Sequence, residues 1–413
     1  MAELQPEVMA RIRRHVASHA QFPDAATLGA LVREGGGVLG QEDLAALPGR
    51  VRAELLGAGP LQPLLDTPGV SDVLVNGPHE VWLDRGTGLQ RADVTVDDVR
   101  GLAVRLAAAG GQRLDDAAPV VDACLPDGTR LHAVLPPVAA GGALISLRVL
   151  RRHPFRLAEL VAGGSIAPAV ALVLQGLVDG RANLLVSGAT GTGKTTLLAT
   201  LLSAVDPAER IVCIEEAREL VADHPHVVHL VARRPNVEGA GEVGLAALVR
   251  HALRMRPDRI VLGECRGAEV REVLTALNTG HQGGCATVHA NALVDLPARL
   301  AALGALAGMT PAAVAAQAVS ALDAVVHLRR DGGRRYVAQV GAVLREPGDG
   351  WRVQPVIEVA ADGGVRAGAG WAEFARRWTG RDGPWDGPWD EPRDEPRDGP
   401  RDGPRDGPRA GPP

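Results

Sequence analysis

Apolar residues recur at helical spacing over the first 58 residues: Val8, Ile12 and Val16, then Leu28, Leu31 and Val32, with a break at Gly35-Gly36-Gly37. This predicts a small helical N-terminal region over 1–58. From 59 to 152 the pattern shortens to β-type runs, Ser71–Val75, Glu80–Leu83, Arg130–Val134 and Leu144–Val149, divided by NG, DRG and PDG turns, as in an α+β domain. Residues 153–165 read as a linker, entered through an exposed connector at Arg151-Arg152-His153-Pro154. Over 166–345, apolar strands at Asn183–Val186, Arg210–Ile214 and Arg259–Leu262 alternate with helical stretches, the pattern of an α/β domain whose mostly parallel sheet is covered by helices. A C-terminal extension follows over 346–380. Residues 381–413 repeat RDGP, WDGP and DEPR; regular Pro and Gly with balanced charge build no core, so a disordered, extended tail is expected.

One run qualifies this picture. Leu300–Leu322 carries no charge and is long enough to cross a bilayer, but Gly308, Thr310 and Pro311 interrupt it as one helix stopping and a second starting with a Thr cap and a Pro in its first turn. Two packed helices are expected there, and the N-terminus has no apolar stretch of the kind a signal peptide needs. A cytoplasmic protein, peripheral at the inner face of a membrane through a partner, follows as the expectation.

Composition sharpens the choice of chemistry. The 413 residues suffice for two or three domains, and the formal net charge of −5, with no basic run before the tail, gives no footprint for a nucleic-acid backbone. Cys124, Cys213, Cys265 and Cys285 lie far apart with no CxxC pair, which argues against a structural zinc site or a disulfide framework. Arginine has displaced lysine everywhere except at Lys194.

That lysine lies in Gly188, Ala189, Thr190, Gly191, Thr192, Gly193, Lys194, Thr195 and Thr196, which satisfies GxxxxGK[ST] between a predicted strand and a predicted helix. Such a loop turns backbone N–H groups onto phosphates and adds a helix N-terminus; Lys194 is expected at the β- and γ-phosphates of ATP and Thr195 on Mg²⁺. Two strand ends follow. Ile211–Ile214 leads into Glu215-Glu216, of which one carboxylate can address the nucleotide from the strand, Glu215 being preferred. Arg259–Leu262 ends in Gly263-Glu264, where Glu264 can hold the Mg²⁺ shell, directly or through water, or polarise the attacking water. The fourth element, GHQGG followed by CATVHAN, places His289 after a short apolar strand, in position to report the γ-phosphate.

In this order, P-loop, paired acids, Gly-Glu and GHxG with HAN resemble the Walker A, Asp box, Walker B and His box of the secretion ATPase superfamily that powers type II and type IV secretion and type IV pili. LRMRPDRIVLGECRGAE, with GPLQPLL, SDVLVNGP, LPDGTRLHAVLPP and ISLRVLR upstream, is most similar to its CpaF-like branch, the Tad (Flp-type) pilus assembly motors. The resemblance covers roughly Gly59–Leu344 and departs at Glu216, where the family usually has Asp. It implies a RecA-like P-loop domain behind a smaller α+β domain, a hexameric ring, ATP with Mg²⁺, and an inner-membrane platform protein as partner, with no direct nucleic acid. Glu264, Glu215 and His289 carry over as site residues, and Arg254 and Arg148, ahead of Arg250 and Arg130, as arginines completing the site. A type IV secretion or DNA-transfer motor shares every motif, and a nucleotide-gated scaffold without turnover is the reading from a different class.

Overall fold

A computed structural model describes residues 57–380 except 87, 150–153, 234–239 and 349; before 57 it describes 8, 11, 12, 14, 15, 23–34, 47–49, 51 and 53. Val16, the Gly35–Gly37 break, the Arg151–His153 connector and the repeat tail therefore lie outside the described residues. In the N-terminal region, helix α1 (Ala25–Glu34) presents Leu28 and Val32 to a small cluster with Val8, Ile12, Leu47 and Val51.

The next unit is a six-stranded antiparallel sheet in the order β3-β2-β1-β6-β5-β4. Its strands are β1 (Asp72–Gly77), β2 (Glu80–Asp84), β3 (Leu89–Arg91), β4 (Val120–Cys124), β5 (Arg130–Val134) and β6 (Leu144–Arg148). Alternation puts Val73, Val75, Val81, Leu131, Ala133, Ile145 and Leu147 in its core. Helix α2 (Val99–Ala109), capped by Asp98, whose carboxylate accepts from the Gly101 N–H at 2.7 Å, adds Leu102, Ala103 and Leu106 to the same core.

Short helix α3 (Leu157–Ala162) leads into a nine-stranded sheet ordered β15-β14-β13-β12-β7-β11-β10-β8-β9. Six strands are parallel: β7 (Leu184–Gly188), β8 (Ile211–Glu215), β9 (Val227–Val231), β10 (Arg259–Cys265), β11 (Cys285–Val288) and β12 (Ala324–Asp331). They are near-continuous apolar runs because helices cover both faces. Helices α4 (Pro168–Asp179) and α5 (Lys194–Ser203) pack with one core; α6 (Leu245–Ala252), α7 (Val270–Asn278), α8 (Leu296–Leu306) and α9 (Pro311–Ala321) pack with the other.

The Leu300–Leu322 run forms α8 and α9, bent by 117° at the break, with Thr310 capping α9 by accepting from the Ala313 N–H at 3.2 Å. Among the described residues no single helix is long and apolar enough to cross a membrane.

The sheet does not stop at 345, where the sequence reading closed the α/β domain. Strands β13 (Arg334–Arg345), β14 (Trp351–Val359) and β15 (Val365–Ala367) extend it antiparallel from β12. Helix α10 (Trp371–Thr379) then returns to α4, burying Trp371, Phe374 and Ala375. Residues 346–380 thus complete the core instead of extending from it. In β14 the polar residues Arg352, Gln354 and Glu358 interrupt the apolar ones, which hides them from a search for continuous runs.

Candidate nucleotide site

Parallel strands bring the sequence motifs to one edge. Strands β7, β11, β10 and β8 are neighbours, and their C-terminal ends carry Gly188, Val288 ahead of His289, Glu264 and Glu215. In an open parallel sheet this edge is where ligands bind.

The loop after β7 passes directly into α5, whose first N–H groups have no partner within the helix and so suit an anion in front of it. Gly188 has φ 151°, and a Cβ there would lie 2.7 Å from the Leu328 carbonyl oxygen and from Thr192 Oγ1, so no other residue fits. Lys194 is 7% exposed. Its Nζ donates to the carbonyls of Gly188 (3.0 Å) and Ala189 (2.9 Å) and to His289 Nδ1 (3.1 Å). Burial draws its pKa down, Glu264 partly offsetting this.

His289 must be neutral to accept from Lys194, and burial and the lysine charge do lower its pKa. Its Nε2 lies 2.6 Å from Glu264 Oε1, a close contact too bent for a well-aligned hydrogen bond. The other carboxylate oxygen, Oε2, accepts from Arg266 Nη2 at 2.6 Å, and Arg266 Nη1 stands 3.6 Å from Glu216. Burial works to raise the Glu264 pKa, but the hydrogen bond and charge of Arg266, with His289 and Lys194, outweigh it and hold the group below the usual carboxylate range.

Local backbone explains how Glu264 is aimed. Strand β10 slips register against β11 between Leu262 and Cys265, a bulge that re-aims the intervening side chains. Thr287 Oγ1 donates to the Gly263 carbonyl at 2.6 Å and pins the bulge, while Glu215 Cγ would lie 2.9 Å from a Cβ at Gly263. Glu269 then fixes the next turn by accepting from the N–H groups of Arg266 (2.7 Å) and Gly267 (2.8 Å).

The two acids at the end of β8 take different partners. Glu215, 3% exposed, lines the cleft beside Thr195 and Glu264, but its Oε1 accepts from the N–H groups of Glu219 (2.8 Å) and Leu220 (2.7 Å), and its Oε2 lies 3.2 Å from His229 Nδ1. It shapes the 216–220 loop, whereas the exposed Glu216 is the one that reaches Arg266.

The candidate arginines separate as well. Arg148 lines a cavity of about 550 Å³ together with Thr192, Gly193, Thr195 and Thr196, and is tied to Asp72 at 3.0 Å. Arg130 makes an interdomain ion pair to Glu219 at 2.7 Å. Arg254 donates to the Arg250 carbonyl and Arg250 pairs with Glu272, both at the end of α6 and outside the cleft lining. Sequence reading missed Arg266, Glu219, Arg335 and Tyr336. A charge two residues after Glu264 was a usable signal for Arg266; nothing local marked the others.

The model of the type II/IV secretion system protein family matches residues 54–340. The chain belongs to that family. A Mycobacterium tuberculosis (strain H37Rv) protein named for conjugal transfer is 53% identical over 338 residues, 79% of this chain and 95% of the relative. Protein VirB11 of Agrobacterium fabrum is 33% identical over 263 residues, 56% of this chain and 75% of its own length. Among solved structures, the VirB11 ATPase of the Brucella suis type IV secretion system, in complex with sulphate, is 27% identical and covers 68% of this chain and 92% of its own, at a TM-score of 0.36.

Proposed function

We propose that the chain is an ATP-hydrolysing motor that works with Mg²⁺. The observation that carries this reading is the convergence of the Gly188–Thr196 loop with Glu264 and His289 on one sheet edge, joined through Lys194. A small protein donor set suits Mg²⁺, which usually takes one or two protein ligands, the rest being phosphate and water. Thr195 and Glu264 line one cleft and would hold it. When bound, the ion neutralises charge developing on the phosphates. Lys194 leaves its two carbonyls for the β- and γ-phosphates. Glu264, kept ionised by Arg266, orients the attacking water and takes its proton, and neutral His289 reports whether Lys194 has moved. Arg148 addresses the cleft from within the chain. Arg254 lies outside it, which supports a contribution to a neighbouring subunit's site in a ring of six.

Purified chain with Mg-ATP is expected to release phosphate, and Lys194→Ala to abolish release. Equal turnover in that variant would sink the assignment, and binding without any release by the unaltered chain would favour the nucleotide-gated scaffold.

The cargo has two readings. The CpaF-like motifs support Tad pilus assembly through a membrane platform protein. The relative named for conjugal transfer favours the second, a motor of that machinery. Pilin and platform genes beside the locus would decide for the first; coupling-protein and relaxase genes would decide for the second.

A further inference from the structure

The β12–β13 hairpin folds back beside the phosphate loop, because β12 pairs parallel with β7 and places Leu328 opposite Gly188. Beyond that point the hairpin reads Arg329-Arg330-Asp331-Gly332-Gly333-Arg334-Arg335-Tyr336. Register sets Arg330 directly opposite Arg335, so the two project from one face as adjacent like charges, an arrangement that costs stability unless something negative lies between them. Among the described residues neither has a hydrogen-bond or ion-pair partner. Their neighbour Arg334 shows the contrast. It donates to the carbonyls of Gly164 (3.1 and 2.8 Å) and Ala361 and lies over the Tyr336 ring at 5.3 Å, stapling the hairpin to the turn after α3.

The free pair is aimed at the loop. Arg330 Nη1 lies 3.9 Å from where a Cβ of Gly191 would stand, and Arg335 Cδ lies 4.0 Å from that of Gly193. Arg335 also lines the cavity of about 550 Å³ beside Thr195 and Thr196. Two uncompensated guanidinium groups beside the loop that opens α5, whose first N–H groups have no partner within the helix, form a preorganised polyanion site.

We propose that Arg330 and Arg335 are a phosphate clamp. They grip the phosphate chain of the nucleotide from the β12 flank of the loop, as Lys194 stands on the β11 flank, so that one subunit carries both halves of its own positive shell. The inference rests on the nucleotide reading above, and the test separates the two.

Full-length chain and an Arg330→Gln, Arg335→Gln double variant are melted without ligand and titrated with Mg-ATP and with Mg-tripolyphosphate. Removing the repulsion should leave the ligand-free melting temperature equal or higher, while Kd for both ligands rises by about tenfold or more, as lost charge-assisted bonds require. An Arg330→Lys, Arg335→Lys variant should recover part of the affinity. If the Gln variant binds both ligands as tightly as the unaltered chain, or binds tripolyphosphate normally and loses only ATP, the clamp is wrong although the nucleotide reading stands. A lowered ligand-free melting temperature with no partial recovery by lysine would make the pair structural and overturn the clamp too. If the unaltered chain binds neither ligand, the nucleotide reading itself fails.

Discussion

The two flanks of the phosphate loop are built on opposite principles. Toward β11, Lys194, His289, Glu264, Arg266 and Glu216 form one chain of contacts in which each charge meets a partner, and the members nearest the loop are half-buried or buried. Toward β12, Arg330 and Arg335 are exposed, adjacent and without partners among the described residues. A network whose charges are mutually paired, even with Glu264 Oε1 accepting no hydrogen bond in it, has a resting arrangement that a ligand must disturb, so it can register that ligand's arrival. An unsatisfied pair has nothing to release, so it can only attract. On the proposed reading, the same ligand is drawn by one flank and sensed by the other.

The largest break in this comparison is expected from Glu264→Gln, which keeps the shape of the sensing flank but removes its base. Turnover should fall by about a hundredfold or more while fluorescent-nucleotide binding persists. If binding and turnover fall together, Glu264 is structural.

Arg266→Ala loosens the same flank one step further out. We expect turnover down by about tenfold with KM little changed. The acid limb of the pH–rate profile should move to higher pH, because Arg266 keeps the Glu264 carboxyl below its usual range and its loss lets that pKa rise. Arg266→Lys should bring the limb partway back; an unmoved limb in both variants would remove Arg266 from any role in tuning the acid.

The smallest effect concerns the interior of β12 itself. His327 on β12 is 1% exposed, with Nδ1 3.0 Å from Ser187 Oγ, and its pKa is pulled down to about 4, chiefly by burial, with Arg329 adding. The unfolded chain takes up this proton near 6.5 and the folded chain near 4, so stability is intact above 6.5 and declines as pH falls through that window. Melting temperatures at pH 7.5 and 4.5 should differ less for His327→Gln than for the unaltered chain. Equal differences would show that His327 titrates normally.

How much of this was legible in the sequence follows from distance along the chain. The loop, Glu264 and His289 each end an apolar strand, so a local pattern marks them, and parallel pairing then gathers them without further information. Glu215 was legible as the strand-end acid, but not as the acceptor for Glu219 and Leu220, because those bonds depend on the path of the following loop. Arg330 and Arg335 lie far along the chain from Gly191 and Gly193, and only the β12–β7 register brings them close. Strands β14 and β15 fall beyond the 166–345 bounds expected for the α/β domain because polar residues such as Arg352, Gln354 and Glu358 interrupt their apolar positions.

Lys194 carries the one ε-amine in the whole sequence. Apart from the amine at the start of the chain, an acylating reagent therefore has a single target, and that target is 7% exposed and held against two carbonyls and an imidazole. Its lowered pKa favours the reactive free-base form while its burial slows access, so the labelling rate reports how often the side chain swings out of its rest position. The mass added at Lys194 itself, read on the peptide that carries it, becomes a clock for that motion without any engineered probe.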